Sequence, residues 1–283
     1  MSLLVNADDF GLTPGVNRSI AELHRARALS SATLMATGAF FDDAVASALA
    51  NPTLEVGCHV LLVDGTPALP PSQIPTLCPN GRTLRDTLTH LVRDLFMRRI
   101  RPAEITAEAT AQIRRLQAAG LRVSHIDTHK HTHLFPSILR PLLAAAQAAQ
   151  VPAIRNPFEP DWALRATRTS ATTFRRLAVA ALQSQHRAFQ RAVRDSGLAT
   201  TGGTIGVLAT GGLNVEATLR ALLTAMPNNP NQTWELVCHP GYPDQHLDQV
   251  RTRLRASRRE EHQALLALLP AIPLASWRDL TAQ

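Results

Sequence analysis

Short apolar runs alternate with longer segments of helical periodicity along most of the chain. The runs predict strands at Leu3–Ala7, Ala32–Ala36, Leu54–Val60, Val123–Ile126, Ala153–Arg155, Thr204–Val207, Glu235–Cys238 and Ile272–Ala275. The segments between them predict helices that begin near Pro14, Asp42, Arg82, Ala103, Pro136, Val215 and Asp244. Such alternation is typical of a parallel sheet. Seven or eight strand–helix units suit a TIM-like α/β barrel, and a doubly wound open sheet is the alternative that the pattern leaves open.

Two segments interrupt this alternation. Leu61–Arg82 is rich in proline and is predicted to be a long functional loop. Asp161–Ser196 has helical periodicity and is predicted to be an inserted helical stretch. Its apolar members are Leu164, Phe174, Leu177, Leu182, Phe189 and Val193. No linker composition divides the chain, so we expect one domain over residues 1–283 with an insertion near 161–196.

The composition favours a helix-rich soluble protein over a disulfide scaffold or a membrane protein. Hydrophobic residues make up 45% of the chain and aromatic residues 4%, with many alanines. The cysteines are three, an odd number without a Cys-x-x-Cys pair. No apolar run approaches the roughly 18 residues of a membrane span, and the first residues do not resemble a signal peptide. We therefore expect a cytoplasmic protein.

The formal net charge is +7, and it comes almost wholly from arginine, since Lys130 is the only lysine. The arginines gather between Arg165 and Arg194 and between Arg251 and Arg259. No aromatic RNA-binding platform or zinc finger accompanies them, so nucleic acid is not an expected partner. We expect solvated helix faces. A non-enzymatic basic binding protein is the alternative, but it leaves the polar strand ends described next unexplained.

Four polar clusters follow predicted strands at their C-terminal ends, where barrels and open α/β sheets build their sites. They are Asn6-Ala7-Asp8-Asp9-Phe10-Gly11, Gly57-Cys58-His59, His125-Ile126-Asp127-Thr128-His129-Lys130-His131-Thr132-His133 and Cys238-His239-Pro240-Gly241-Tyr242. Adjacent carboxylates repel each other, and a divalent cation would neutralise them, although a capping turn is the alternative. Neutral imidazole is the commonest metal-binding side chain, and a nearby carboxylate can fix its tautomer.

One carboxylate and two imidazoles would hold a metal ion and leave a coordination position for water, as catalytic sites do. A second carboxylate could then act as base, and His239, exposed by the Pro-Gly turn after it, could act as general acid or base. This inventory suits hydrolysis of an amide or an ester.

At these clusters the chain resembles the YdjC-like carbohydrate deacetylases, which include ChbG-like chitooligosaccharide deacetylases and the hopanoid-associated HpnK branch. The four clusters occur in the family's order and run over most of the chain. The resemblance implies a distorted TIM-like barrel, one divalent metal ion (magnesium or zinc), deacetylation of N-acetylated sugars and a homodimer. Two departures are Lys130, which interrupts the family's run of histidines, and Cys58, which replaces an apolar residue.

Carried over residue by residue, the resemblance implies a role for each polar side chain. The metal ligands would be Asp9, His59 and His129; the catalytic residues would be Asp8 as base, His239 as acid and Arg155 as the residue that orients the base or stabilises the oxyanion; the sugar pocket would be lined by His131 and His133.

The segment Val56–Pro71 resembles the hopanoid-associated branch more than the chitooligosaccharide branch. A lipid-linked glycan is therefore one expected substrate, and the arginines after Asp161 could contact anionic headgroups at a membrane surface. The alternative function is another metal-dependent amidohydrolase or a phosphoesterase, which would commonly hold two ions about 3.5–4 Å apart.

Overall fold

A six-stranded parallel sheet organises the computed structural model, which describes residues 2–167, 183–207, 209–211, 215–229 and 231–282. The strands are β1 (Ser2–Phe10), β2 (Ser31–Leu34), β3 (Glu55–Val60), β4 (Val123–Thr128), β5 (Gly203–Ile205) and β6 (Thr233–Cys238). Their order across the sheet is β4-β3-β2-β1-β6-β5, and every pair is parallel. The predicted parallel α/β class is therefore confirmed.

Helices connect the strands. Within the described residues they are α1 (Pro14–Arg25), α2 (Phe41–Leu49), α3 (Leu88–Phe96), α4 (Pro102–Ala118), α5 (Pro136–Ala148), α6 (Asp161–Ala166), α7 (His186–Ser196), α8 (Val215–Ala225), α9 (Ser257–Leu268) and α10 (Trp277–Thr281). The first follows the predicted N-cap, because Thr13 Oγ1 accepts a hydrogen bond from the Val16 amide at 3.3 Å. No helix in these ranges is both long and apolar enough to span a membrane.

The predicted number of strands, seven or eight, is wrong for the described part of the chain, where the sheet has six. Ala153–Arg155 and Ile272–Ala275 form only isolated parallel bridges, including Ile126 with Ile154 and Ala153 with Ala199. Proline explains this outcome, because a residue without an amide hydrogen cannot donate to a ladder, and Pro152, Pro157 and Pro273 lie in or beside these segments. The bridges nevertheless lead from β4 toward β5, so the sheet is curled.

Two predicted helix starts are also wrong. α3 begins at Leu88 rather than near Arg82, and α9 begins at Ser257 rather than near Asp244. The side chain of Asp244 instead accepts from the amides of Gly15, His246 and Leu247, which holds the loop after β6 against α1. Of the predicted insertion, α6 and α7 are described, whereas Phe174, Leu177 and Leu182 lie outside the described residues.

The inner face of the curled sheet is polar, unlike the branched apolar layers that usually fill a TIM barrel. Strand β1 shows the pattern: Leu3, Val5 and Ala7 pack in the hydrophobic core, whereas Asn6 and Asp8 form polar contacts across the sheet. Buried polar residues on the neighbouring strands continue this face, namely Thr33, His59, His125, Asp127 and Glu235. The fold therefore places its chemistry inside the curl of the sheet.

Below these polar residues, the inner face packs against Trp277, which clusters with Leu4 and Ala153. The His125 ring stacks on Trp277, with centroids 4.1 Å apart, and its Nδ1 lies 2.9 Å from Ser124 Oγ. A Cβ at Gly57 would lie 2.5 Å from His125 Cε1, so the β3 strand needs glycine there. His125 is thus a packed histidine below the candidate site.

The predicted functional loop after β3 is held by buried acceptors on α4. Glu108 accepts from the amides of Ala68 and Leu69 at 2.7 and 3.0 Å, and Glu104 accepts from the amides of Thr76 and Leu77. These bonds satisfy backbone amides of the loop that form no ladder with a strand, and the Leu77 amide among them is buried. The loop is therefore fixed in place beside the C-terminal ends of the strands.

Candidate metal centre

Four short stretches that are distant in sequence meet at one edge of the sheet. Asp8 and Asp9 lie at the end of β1, His59 at the end of β3, His129 directly after β4 and His239 directly after β6. Parallel strands bring their C-terminal ends to the same edge, so the strand order places these residues side by side.

A backbone irregularity lets both aspartates face this edge. In a regular strand, neighbouring side chains point to opposite faces, so Asp8 and Asp9 would diverge. The β1–β2 register shifts between Ala7 and Phe10, and Asp9 has φ +66°, in the left-handed region that is uncommon for aspartate. The bulge therefore gives two consecutive carboxylates to one site.

Three ligand atoms converge beside this bulge. Asp9 Oδ1 lies 3.7 Å from His59 Nε2 and 3.5 Å from His129 Nδ1, and the two nitrogens are 3.3 Å apart. Ligands about 2.0–2.1 Å from a tetrahedral zinc ion would stand roughly 3.4 Å from one another. The separations thus suit one small cation within the triangle.

Asp9 Oδ1 is the strongest sign that this triangle fits a cation. It is buried and has no hydrogen-bond partner, whereas Asp9 Oδ2 accepts from Arg258 Nη2. A buried carboxylate oxygen without a partner is costly unless something else neutralises it. One carboxylate oxygen and two imidazole nitrogens are a donor set that zinc and other divalent ions accept.

His59 is held by a carboxylate behind it. Its Nδ1 donates to Asp127 Oδ1 at 2.8 Å, which turns Nε2 toward Asp9 and His129. Burial opposes the charged imidazole, but Asp127, followed by Asp8, outweighs burial and raises the pKa of His59 to about 9. Burial lowers the pKa of His129. The excess of negative charge around His59 is what a divalent cation would neutralise.

Asp8 is bound by a buried guanidinium. Arg155 Nη2 donates to Asp8 Oδ1 at 2.7 Å and Nη1 to Asp8 Oδ2 at 2.9 Å, and Asn6 Nδ2 donates to Oδ1 at 3.0 Å. Burial alone would raise the pKa of Asp8, but the charge of Arg155 holds it well below its usual range. Asp8 is therefore a fixed carboxylate that stays ionised.

The guanidinium of Arg155 contacts three buried carboxylates. Besides Asp8, it contacts Asp127 Oδ2 through Nη1 and donates from Nε to Glu235 Oε1 at 2.7 Å. Asp8, His59 and Asp127 are close enough together to suggest a second metal position, but the guanidinium already supplies positive charge there. This arrangement favours one ion, and it holds Arg155 against Asp8, Asp127 and Glu235.

Glu235 titrates in an unusual range because it is fully buried. Burial outweighs the charge of Arg155 and raises the pKa of Glu235 from 4.5 to about 7, and its Oε2 has no hydrogen-bond partner. A folded-state pKa above the unfolded value means that the carboxyl stabilises the fold at low pH. This stabilisation is lost as the pH rises from about 4.5 through 7.

We therefore expect Glu235→Gln to flatten the dependence of stability on pH. The variant keeps an acceptor for Arg155 Nε but cannot ionise, so its advantage over wild type should grow between pH 5 and pH 8, to on the order of 3 kcal/mol. Urea unfolding at several pH values measures this difference, with exposed Glu216→Gln as the control. Parallel stability curves for wild type and Glu235→Gln would contradict the assignment.

His239 faces Asp8 across a gap. Its Nε2 lies 3.8 Å from Asp8 Oδ2, beyond hydrogen-bond length, and its ring is 12% exposed. The His239 amide donates to Glu261 Oε2, which anchors the turn after β6 to α9. His239 therefore lies beside Asp8 without a direct hydrogen bond between the two side chains.

The histidine-rich segment forms a tight turn from His129 to Leu134. Lys130 and His131 both have positive φ, +57° and +50°, and Lys130 Nζ contacts Asp64 Oδ2 in the loop after β3. Burial lowers the pKa of His131 to about 3. His133 has no exposed surface, and its Nδ1 lies 2.7 Å from Thr128 Oγ1, so it supports the turn while His131 lies nearer the surface.

The sequence pattern predicts no individual role for three buried residues of the site, Asp127, Glu235 and Arg258. Asp127 stood within the histidine-rich motif, and its position two residues after His125 on a strand puts it on the same inner face. A charged residue inside the apolar strand β6 was the available signal for Glu235. Arg258 gives no signal, because it lies in a run of charged residues that is typical of a solvated helix face, yet it is only 1% exposed.

Comparisons with known proteins agree on one family. A family model described as YdjC-like protein matches residues 2–268. A carbohydrate deacetylase of Brevibacillus brevis is 41% identical over 158 residues, which cover 56% of this chain and 60% of that protein. A carbohydrate deacetylase of Listeria welshimeri is 38% identical over 129 residues, 46% of this chain and 51% of that protein. The chain thus spans only about half to three fifths of these relatives.

A solved structure extends the comparison to the fold. A protein of Enterococcus faecalis V583 named for cellobiose-phosphate cleavage superposes with a TM-score of 0.75. The superposition covers 99% of this chain and 98% of that chain, at 24% sequence identity. At this identity the similarity shows a shared fold.

Proposed function

This chain belongs to the YdjC-like protein family, and we propose that it is a metal-dependent hydrolase that removes the acetyl group from an N-acetylated amino sugar. The observation that carries the proposal is Asp9 Oδ1, buried without a partner and directed at His59 Nε2 and His129 Nδ1 beside the fixed carboxylate of Asp8. The names of the relatives from Brevibacillus and Listeria support the same activity.

Asp9, His59 and His129 would hold a single divalent cation, magnesium or zinc. Such an ion polarises an acyl carbonyl and lowers the pKa of water toward about 7. The protein's part is to present these three ligand atoms in fixed positions. Asp127 does so for His59 by its bond to Nδ1.

Asp8 is the proposed base. Arg155 and Asn6 fix its carboxylate, and Oδ2 remains directed toward the gap in front of His239. Because Arg155 holds the pKa of Asp8 far below its usual range, Asp8 would keep a proton taken from water only briefly. Proton transfer onward is therefore part of the proposal.

His239 is the proposed acid. Its Nε2, 3.8 Å from Asp8 Oδ2, is near enough for a proton to pass through a reacting group held between them. The proton then goes to the nitrogen of the leaving amine as the bond between carbon and nitrogen breaks, which yields acetate and a free amino sugar. His131 and His133 at the nearby turn are the proposed contacts for the sugar.

The test is an acetate-release assay on chelator-treated protein before and after reconstitution with magnesium or zinc. Three substrates distinguish the length and linkage of the sugar: N-acetylglucosamine, N-acetylated chitobiose and a lipid-linked N-acetylglucosamine. We expect acetate release only from reconstituted protein, and none of the phosphate release from a phosphomonoester that a phosphoesterase would give. A folded, metal-loaded protein that releases no acetate from any of the three would contradict the proposal.

The resemblance also implies an architecture, a kind of substrate and an assembly, for which the site itself provides no contacts. A distorted TIM-like barrel is supported by the parallel bridges at Ile154 and Ala199, which continue from β4 toward β5. Lipid linkage of the substrate, contact of the arginines after Asp161 with a membrane, and a homodimer stay predictions. Co-sedimentation with vesicles of acidic lipid tests the membrane contact, and absence of binding would remove it.

A further inference from the structure

Each of the adjacent aspartates has its own buried arginine. Asp8 is bound by Arg155, and Asp9 is bound by Arg258 from the first turn of α9. The two arginine–aspartate pairs differ in the carboxylate oxygens that they use. Arg155 contacts both oxygens of Asp8, whereas Arg258 contacts only Oδ2 of Asp9. Asp9 Oδ1 alone is then available to the two histidines.

We propose that Arg258 is a positioning residue that restricts Asp9 to one coordinating oxygen, so that a bound cation keeps coordination positions for water and substrate. This inference rests on the proposed metal-dependent hydrolase. A carboxylate can bind a cation through one oxygen or through both. For Asp9 to bind through both, Oδ2 would have to turn toward the ion, which weakens or breaks its bond to a guanidinium that is 1% exposed. Leaving a buried charge without its partner is strongly unfavourable.

The same helical turn also fixes the candidate acid. Arg258 Nη1 donates to the carbonyl oxygen of His239 at 3.4 Å, and the Gly241 amide donates to the carbonyl of Arg258 at 3.1 Å. Glu261, one turn later, accepts from the His239 amide. The first turn of α9 therefore connects Asp9 to His239, and the spacing between metal ligand and acid depends on it.

Electrostatics separates this role from a merely structural one. A guanidinium beside a divalent cation repels it, so loss of the charge at Arg258 should leave metal affinity equal or higher. A structural role predicts the opposite, weaker binding together with a less stable fold. The proposal instead predicts retained binding with fewer water molecules on the ion.

The experiment compares Arg258→Gln with Arg259→Gln, which removes the same charge one residue along α9 at an exposed position. Both proteins are loaded with Mn²⁺, and water-proton relaxation measures the water molecules on each bound ion. For a six-coordinate ion, a second oxygen from Asp9 would replace one of three waters, so we expect relaxivity per bound ion to fall by about one third in Arg258→Gln. We expect no weaker Mn²⁺ binding, slower turnover, and wild-type values for Arg259→Gln.

Wild-type relaxivity in folded Arg258→Gln would overturn the proposal. If that variant does not fold, Arg258→Met decides, because its uncharged side chain fills a similar volume but cannot donate to Asp9 Oδ2. The same decrease is expected for it, and wild-type relaxivity would again overturn the proposal. Failure of Mn²⁺ to bind wild-type protein would contradict the proposed function itself, which distinguishes the two failures.

Discussion

Replacement of Asp8 by asparagine is expected to reduce acetate release by about 10²–10⁴-fold while the protein keeps its metal ion. The amide cannot take a proton from water, yet it occupies the same volume, and its oxygen can still accept from Arg155. Metal retention is expected because Asp8 supplies none of the three ligand atoms, which are Asp9 Oδ1, His59 Nε2 and His129 Nδ1. The measurements are kcat on the best substrate and metal content by elemental analysis.

A matched control guards against a general effect of charge. Asp195 is exposed near the end of α7, and Asp195→Asn removes the same charge at the molecular surface. We expect wild-type kcat for this control. Full acetate release by Asp8→Asn would show that another group acts as base.

Removal of a metal ligand is expected to weaken metal binding itself, unlike the change at Asp8. Asp9→Ala and His129→Ala each delete one of three ligand atoms, and loss of even a residue that only orients a ligand typically weakens metal binding 10–100-fold. We therefore expect affinity to fall by at least about 100-fold, with loss of turnover at limiting metal. Titration calorimetry with zinc and magnesium measures the affinity.

The control for the ligand variants lies two residues away. His131→Ala removes an imidazole from the same turn without touching Asp9 or His59, so metal affinity should stay at the wild-type value. Asp9→Ala also leaves Arg258 without its carboxylate, so circular dichroism must first show that the variant is folded. Retention of tight metal binding by His129→Ala would remove this histidine from the ligand set.

The position of the polar residues at one edge of the sheet follows from the sequence more directly than the number of strands does. Polar residues at the ends of apolar strands identify Asp8, Asp9, His59 and His129, because the carboxyl ends of parallel strands meet at one edge. The bulge that turns Asp8 and Asp9 to the same side has no sequence signature, since it depends on the register between β1 and β2. Pattern alone would have placed them on opposite faces.

Buried charges on helices are the other part that pattern does not reveal. Arg258 and Arg259 are adjacent and chemically identical, yet one is buried against Asp9 and the other is exposed. Only the position of α9, which packs against α1 and α8 and brings Arg258 to Asp9, distinguishes them. Strand number failed for a local reason, because Pro152 and Pro273 reduce two predicted strands to isolated bridges.

The most direct test is a crystal structure of the metal-reconstituted protein, with the ion located by its anomalous scattering. We predict one ion per chain, about 2.0–2.2 Å from Asp9 Oδ1, His59 Nε2 and His129 Nδ1, with Arg155 still bound to Asp8. An ion at a different place, or a pair of ions that displaces Arg155 from Asp8 and Asp127, would contradict the account.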